Sequence, residues 1–312
     1  MKDRKYYAVQ PEKFPLLLGS SIYKPMVLYA QGTLPEPTAP AESNASTGNA
    51  ALPKAPIGIA MVGTRRPSNS AAELCRKLVN SLRGTNAVIV SGLAQGIDSL
   101  CHEAALEAGL PTIGVLAQGL DTHIEGSRGD LANRILESGG ALVSTFEPDD
   151  PAYKGNFIAR NKIISGLCAA TLVVQSKIKG GALITADFCT KEGKPLLAVP
   201  GNFDSEVASG TNQLLDAGRA KPVFKPESLC QVLGLPKKGG LSFGELSAAG
   251  CNLSKEATLV FGRVNGYKKT FVELQSEFDF NTTQLLAILT ELEIAGLART
   301  EDNFQFYFNG AV

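Results

Sequence analysis

The sequence predicts an α/β protein: a doubly wound, mostly parallel sheet followed by a small helical module with a closing hairpin. Three observations carry this. Short apolar runs alternate with helix-periodic segments from residue 57 to about 225. Those runs are apolar throughout rather than at every second position, as in strands covered on both faces. After residue 254 the pattern changes to three helical stretches and a final hairpin.

The elements follow in order. IGIAMVG (57–63) reads as a strand, and PSNSAAELCRKLVNSL (67–82) as a helix with Pro67 and Ser68 as start signals. AVIVSG (87–92) is the next strand, and IDSLCHEAALEAG (97–109) the next helix, ended by Gly109. TIGVLAQG (112–119) is a third strand, DLANRILESGG (130–140) a helix and ALVSTF (141–146) a strand. NFIARNKIISGL (156–167) is helical, AATLVVQS (169–176) extended, and GALITADFCTKEG (181–193) helical. PLLAVPG (195–201) closes the series of strands before a short helix, TNQLLDAG (211–218). This alternation defines a Rossmann-like unit over 57–225.

Around it lie less regular pieces. Residues 1–34 form a short lead-in with a helix and a strand, too small for its own core. Residues 35–56, rich in Pro, Ala, Ser and Asn, read as a linker, and 226–253 as a second one centred on GLPKKGGLSFG. The tail, 254–312, matches a winged helix-turn-helix. Its helix near 282–295 would be the recognition helix, yet TTQLLAILTELEIAG has no Lys or Arg and two Glu. That argues against major-groove reading and for a protein-contact or stabilising role.

Composition narrows the function classes. The chain has 312 residues, is 44% hydrophobic, and balances 30 Lys+Arg against 30 Asp+Glu. Any anion binding must therefore come from a local patch. The six cysteines form no CxxC, and neither His102 nor His123 has ligand spacing to them, so no metal site is expected. Most lie in apolar surroundings, as reduced buried thiols do. MKDRKYYAVQ has no apolar core of a signal peptide, and no run approaches a membrane span, so a cytoplasmic protein with no membrane partner is expected.

In a doubly wound sheet, ligands sit beyond the carboxyl ends of the strands. Those ends open into GTRRPS, SGLAQGID, AQGLD, SKIKGGALITA and VPGNFDSEVASGTN. Glycines admit a ligand to the backbone, and the following helix starts offer free N–H groups. Five such loops on one edge point to an anion or nucleotide site. There is no GxGxxG, no GxxxxGK[ST] and no GxSxG, which argues against a dinucleotide dehydrogenase, a P-loop ATPase and a serine hydrolase. No catalytic residue is assigned. His102 reads as packed or surface-facing, and Asp98 as a helix-start residue, with holding a basic side chain as its alternative.

Arg65, Arg66, Lys154, Arg160, Lys162, Lys177 and Lys179 belong at or near this edge. Spaced bases around a Gly-rich rim suit a single-stranded polynucleotide better than a compact cofactor, and no cofactor is expected. Phe157 and Phe203 are the only aromatics placed to stack on bases.

The run MVGTRRPS, SGLAQGIDSLCHEAALEAG, TIGVLAQGLD, GNFIARNKIISGL, GGALITA and VPGNFDSEVASGTNQLLDAG resembles the DprA/Smf family of DNA-processing proteins of natural transformation. The match is ordered and covers nearly all of 57–222. PEKFPLLLGSSIYKPMVLYAQG is similar to the family's lead-in, without the preceding helical domain of many members, and the tail is similar to its winged-helix domain. The resemblance implies a non-enzymatic, dimeric single-stranded DNA-binding protein that protects incoming strands and loads a RecA-type recombinase. Carried over by motif, Arg65, Arg160, Lys162 and Lys179 would contact DNA, with Arg66, Gln95 and Lys154 beside them. Gly63, Ser91, Gly92, Gly96, Asn156, Thr185, Gly201, Thr211 and Asn212 would shape the pocket.

This chain departs from the family pattern. Gln95 stands for the arginine of SGxARGID, Ser209 for the basic residue before GTN, and Ile158 for the proline of GNFPxRN. GLDTHIEGSRG lacks the usual YP. Each lost arginine removes about 1–3 kcal/mol of charge-assisted phosphate contact, so weaker or more salt-sensitive binding is expected. The competing reading is a nucleotide-binding or nucleotide-hydrolysing enzyme of the LOG type. Such enzymes carry PGGxGTxxE, whereas VPGNFDSEVASGTN has neither the spacing nor a Glu after GTN.

Overall fold

The computed structural model describes residues 6–37, 55–233, 235, 253–264, 268–295, 297–301 and 305–308. Most of the two predicted linkers, and Cys251, lie outside the described residues. The chain divides into two compact units, Met1–Pro236 and Lys237–Val312.

The first unit is built on a nine-stranded sheet. Its strands are β1 (Tyr7–Val9), β2 (Leu28–Gly32), β3 (Ile57–Gly63), β4 (Ala87–Ser91), β5 (Thr112–Val115), β6 (Ala141–Ser144), β7 (Ala170–Gln175), β8 (Leu196–Ala198) and β9 (Lys221–Pro222). Their spatial order is β1-β2-β6-β5-β4-β3-β7-β8-β9. From β6 to β9 every pairing is parallel. The strand order reverses beside β3, between β4 and β7, which is where such sheets open a ligand crevice. The helices are α1 (Ala71–Asn80), α2 (Ile97–Glu107), α3 (Gly126–Glu137), α4 (Lys154–Leu167), α5 (Gly181–Lys191), α6 (Ser209–Asp216) and α7 (Ser228–Val232).

The apolar runs owe their continuity to burial on both faces. In β3, Ile59 and Met61 enter the core beneath α1 and α2, while Ala60 and Val62 enter the core beneath α4 and α5. In β4, Ala87 and Ile89 face the first core, and Val88 and Val90 the second. Period-two alternation is present, but both faces are apolar, so it does not show in the sequence.

Three differences from the sequence reading have local causes. The lead-in holds two short 3-10 helical turns, Pro11–Lys13 and Leu18–Ser20, in place of one helix, and adds a second strand: β1 pairs with β2, and β2 pairs antiparallel to β6. Its apolar residues Phe14, Leu16 and Leu18 are buried in the main core instead of forming one of their own. The helix expected from Pro67 starts at Ala71, because Ser68 turns back to bond Gln175 of β7. The stretch read as a linker from 226 holds α7, with Leu229, Cys230 and Leu235 buried.

The second unit has α8 (Lys255–Val264), α9 (Phe271–Glu277) and α10 (Thr282–Ile294). A three-stranded antiparallel sheet joins β10 (Lys268–Thr270), β11 (Ala298–Glu301) and β12 (Gln305–Phe308) in the order β10-β12-β11. Phe261, Leu274, Leu285, Leu292 and Phe308 centre its core. The expected hairpin is β11–β12; β10 is a third strand that the sequence did not signal. Among the described residues no helix is long and apolar enough to cross a membrane.

Candidate functional site

The loops beyond the carboxyl ends of β3, β4 and β7 are tied together by backbone contacts. Ile97 N–H donates to the Thr64 carbonyl at 3.1 Å, and Thr64 N–H to the Gln175 carbonyl at 2.8 Å. The Gln175 amide accepts from Ser68 N–H and donates to Ser68 Oγ. Gly96 makes the first junction possible: its φ is +90°, and a Cβ there would lie 2.7 Å from Arg65 Cα. No other residue type fits this crossing of the two loops.

Helices α1 to α6 begin without a side-chain cap, whereas α9 and α10 of the second unit both carry a full capping box. These starts carry no capping side chain, while part of their N–H groups is taken by backbone carbonyls, as Ile97 by Thr64 and Gly210 by Ser176.

Arg65, Arg66, Gln95, Lys154 and Lys179 are exposed on this edge. None of the four cations among them forms an ion pair with another described residue. The Arg65 guanidinium lies 5.0 Å from the centroid of the Phe157 ring. Phe203, 86% exposed, stands on the loop after β8. That loop is braced by Asn212, whose amide accepts from Gly201 N–H and donates to the Gly201 carbonyl, both at 3.0 Å.

Arg160 corrects the sequence reading. Expected as a DNA contact, it is only 5% exposed. Its guanidinium sits under the loops, donating to the carbonyls of Gly92 and of Val115, the latter at 2.8 Å. It thereby joins the ends of β4 and β5, and it faces Phe157 from 5.9 Å. A Cβ on Gly92 would collide with it. Buried Asp98 supplies an opposite charge that offsets part of the cost of burying the guanidinium, without a direct ion pair between them. Burial pushes the Asp98 carboxyl up, while Arg160 and the backbone N–H groups of Ala94 and Gly92 pull against it.

The helical period carried this signal. Arg160 lines up with Ile163, Ile164 and Leu167 on the buried face of α4, and Asp98 with Cys101, His102 and Ala105 on that of α2. Lys162, two positions on, faces elsewhere: its ammonium lies 5.9 Å from the Tyr23 ring and 5.7 Å from Phe188. The structure therefore does not bring Lys162 to Arg65 and Phe157. Ser91, Thr185 and Thr211 are buried, with the Ser91 hydroxyl on the Met61 carbonyl and Thr211 on Ala208. Asn156 donates to the Pro151 carbonyl at 3.4 Å, and Gly63 ends β3 against Ile97 and Gln175.

Beneath the site His102 is fully buried. Thr112 Oγ1 gives its proton to the Ile89 carbonyl, so it accepts from His102 Nδ1, 2.7 Å away. Nε2 then has no partner, and burial together with the Arg160 charge lowers the His102 pKa to about 3. The unfolded chain takes up this proton near pH 6.5 and the folded one does not, so stability is lost as pH falls from 6.5 towards 3. Between pH 7.5 and 5 the loss through this residue is about 2 kcal/mol. Urea melts at both pH values are expected to show that difference for the wild type relative to His102→Gln, whose own curve lacks it. Asp98 acts in the opposite sense, losing stability as pH rises through its raised value, and is common to both proteins.

Among the described residues no cluster of His, Cys, Asp or Glu is grouped to hold a metal ion. The five described cysteines are buried.

Fold and edge together define a doubly wound α/β protein whose strand-end loops carry exposed cations, one of them beside half-buried Phe157, and the exposed ring of Phe203. Residues 5–234 match the family described as DNA recombination-mediator protein A, and the chain belongs to that family. It is 38% identical over 175 residues to Protein Smf of Escherichia coli, covering 56% of this chain and 46% of that protein. It is 33% identical over 225 residues to the DNA processing protein DprA of Bacillus subtilis, covering 72% of this chain and 70% of the relative. A solved structure of DprA from Helicobacter pylori, described as giving insight into its single-stranded DNA binding mode, superposes with a TM-score of 0.60 at 27% identity. That superposition covers 74% of this chain and 96% of the Helicobacter chain. The chain thus spans about half the length of the Escherichia coli relative.

Proposed function

We propose that this chain binds single-stranded DNA along the carboxyl edge of its sheet and acts as a mediator of recombination rather than as an enzyme. The observation that carries the proposal is the set of exposed cations without an ion pair among the described residues, Arg65, Arg66 and Lys179, on the adjoining loops after β3 and β7. Phosphates meet the cations and uncapped helix starts, and bases meet Phe157 and Phe203. The single-stranded DNA binding named for the Helicobacter pylori relative supports the same reading. Arg160 belongs to the frame of this site, not to its surface.

We further read the chain as a homodimer that passes its strand to a RecA-type recombinase in the cytoplasm. The second unit, three helices and a three-stranded sheet, is read as a winged helix that contacts protein. Its helix α10 lacks Lys and Arg and exposes Leu286 and Ile294, which suits a protein surface better than a phosphate backbone.

The test is a titration of oligo-dT against duplex of equal length, with the mass of the complex measured. Preferential binding of the single strand by a dimer is expected; equal or stronger duplex binding overturns the reading. Release of free base from a nucleoside monophosphate would point to the nucleotide-hydrolysing alternative. Gln95 is exposed beside Gly96, where the loops after β3 and β4 cross, so Gln95→Arg adds a cation to the edge. It is expected to tighten oligo-dT binding by roughly tenfold, one charge-assisted contact.

A further inference from the structure

One cation of the edge is already occupied. Lys177 Nζ lies 2.7 Å from the Glu206 carboxylate, joining the loop after β7 to the loop after β8. The backbones beneath the pair are fixed. Gly210 N–H donates to the Ser176 carbonyl at 2.7 Å, and a Cβ on Gly210 would stand 2.7 Å from the Lys177 carbonyl carbon. The side chains above are open to solvent: Lys177 is 43% exposed and Glu206 76%. Exposed pairs of this kind are weak and exchange readily. Lys179, two residues on, carries no such partner among the described residues, and exposed Phe203 lies three residues before Glu206.

We propose that Glu206 is an internal counter-ion, holding Lys177 in place of a strand phosphate until the strand displaces it. This rests on the single-strand reading above and adds to it a residue that sets affinity. The exchange has a signature in salt dependence. A free lysine that neutralises a phosphate releases a condensed counter-ion, contributing about 0.7 to the slope of log K against log salt for single strands. In this chain the freed Glu206 carboxylate is left bare as the phosphate takes its place, so the gain at Lys177 is largely cancelled. Glu206 therefore lowers affinity at low salt and makes binding less sensitive to salt.

The experiment is fluorescence anisotropy of labelled oligo-dT with the full chain between 50 and 300 mM salt, for wild type, Glu206→Gln, Lys177→Gln and the double variant. Glu206→Gln is expected to bind roughly three- to tenfold more tightly at the lowest salt, with a slope steeper by about 0.7. Lys177→Gln alone is expected to change little, and the double variant to lose the whole gain. Two outcomes overturn the proposal: Glu206→Gln matches wild type in affinity and slope, or it tightens binding equally with Lys177 absent. The second would mark a general charge effect. A wild type that binds no oligo-dT overturns the single-strand reading itself, which separates that failure from this one.

Discussion

Replacing Arg160 with alanine is expected to lower the stability of the α/β unit by about 3–5 kcal/mol, since two buried hydrogen bonds from a charged donor are lost at roughly 1.5–3 kcal/mol each. The loss has three sources on α4 and the loops above it. Asp98 loses the nearby positive charge that works against its burial, and the Gly92 and Val115 carbonyls lose their donor. For a unit of this size the melting temperature falls by about 10 °C. Lysine is a poor substitute, since one ammonium does not reproduce a planar fork spanning two strand ends. Adding Asp98→Asn to Arg160→Ala should recover part of the loss, and the coupling in a double-mutant cycle reads the pair directly. Urea melts of the four proteins are the measurement. A near-neutral Arg160→Ala would return Arg160 to the surface role that the sequence motif assigned.

The same variant separates a frame residue from a contact residue in binding. At a temperature where Arg160→Ala stays folded, its oligonucleotide affinity should fall because the loops at Gly92 and Phe157 shift. The slope against salt should stay that of wild type, since no phosphate contact is removed. A direct contact would instead flatten the slope by about 0.7.

Much of the fold was legible because both faces of the parallel strands are covered. A buried strand is then an uninterrupted apolar run such as IGIAMVG or AVIV, bounded by glycine or serine where the loops begin. Strand β1, of three residues and mostly exposed, offers no such run, and its antiparallel pairing with β2 follows from packing of Phe14 and Leu16 elsewhere. At the site, the loops were legible from their glycines, but the depth of each basic side chain was not. ARNK places Arg160 and Lys162 side by side in sequence, while the turn of α4 sends one under Gly92 and the other to Tyr23 and Phe188. Reading the stripe 160, 163, 164, 167 on its own would have buried Arg160; a motif match treats adjacent letters as neighbours in space. Lys177 and Glu206 lie on different loops, and nothing local to either links them.

Replacing Arg65, Arg66 and Lys179 together with alanine is expected to cost roughly a hundredfold in oligo-dT affinity at low salt and to flatten the salt slope by about 2, three contacts at about 0.7 each. All three are exposed and free of ion pairs among the described residues, so their removal should leave the urea melt unchanged. The contrast with Arg160→Ala is direct: one class of variant loses slope without stability, the other stability without slope. Arg65 should account for more than its share. Its guanidinium lies 5.0 Å from the centroid of half-buried Phe157, so losing it removes both a phosphate partner and a contact that holds that ring. Arg65→Lys, which keeps the charge but not the planar guanidinium, is expected to hold the slope and still weaken binding. Arg65→Lys with wild-type affinity would assign Arg65 to the phosphate alone. A triple variant with unchanged affinity and slope would move the strand off this edge altogether.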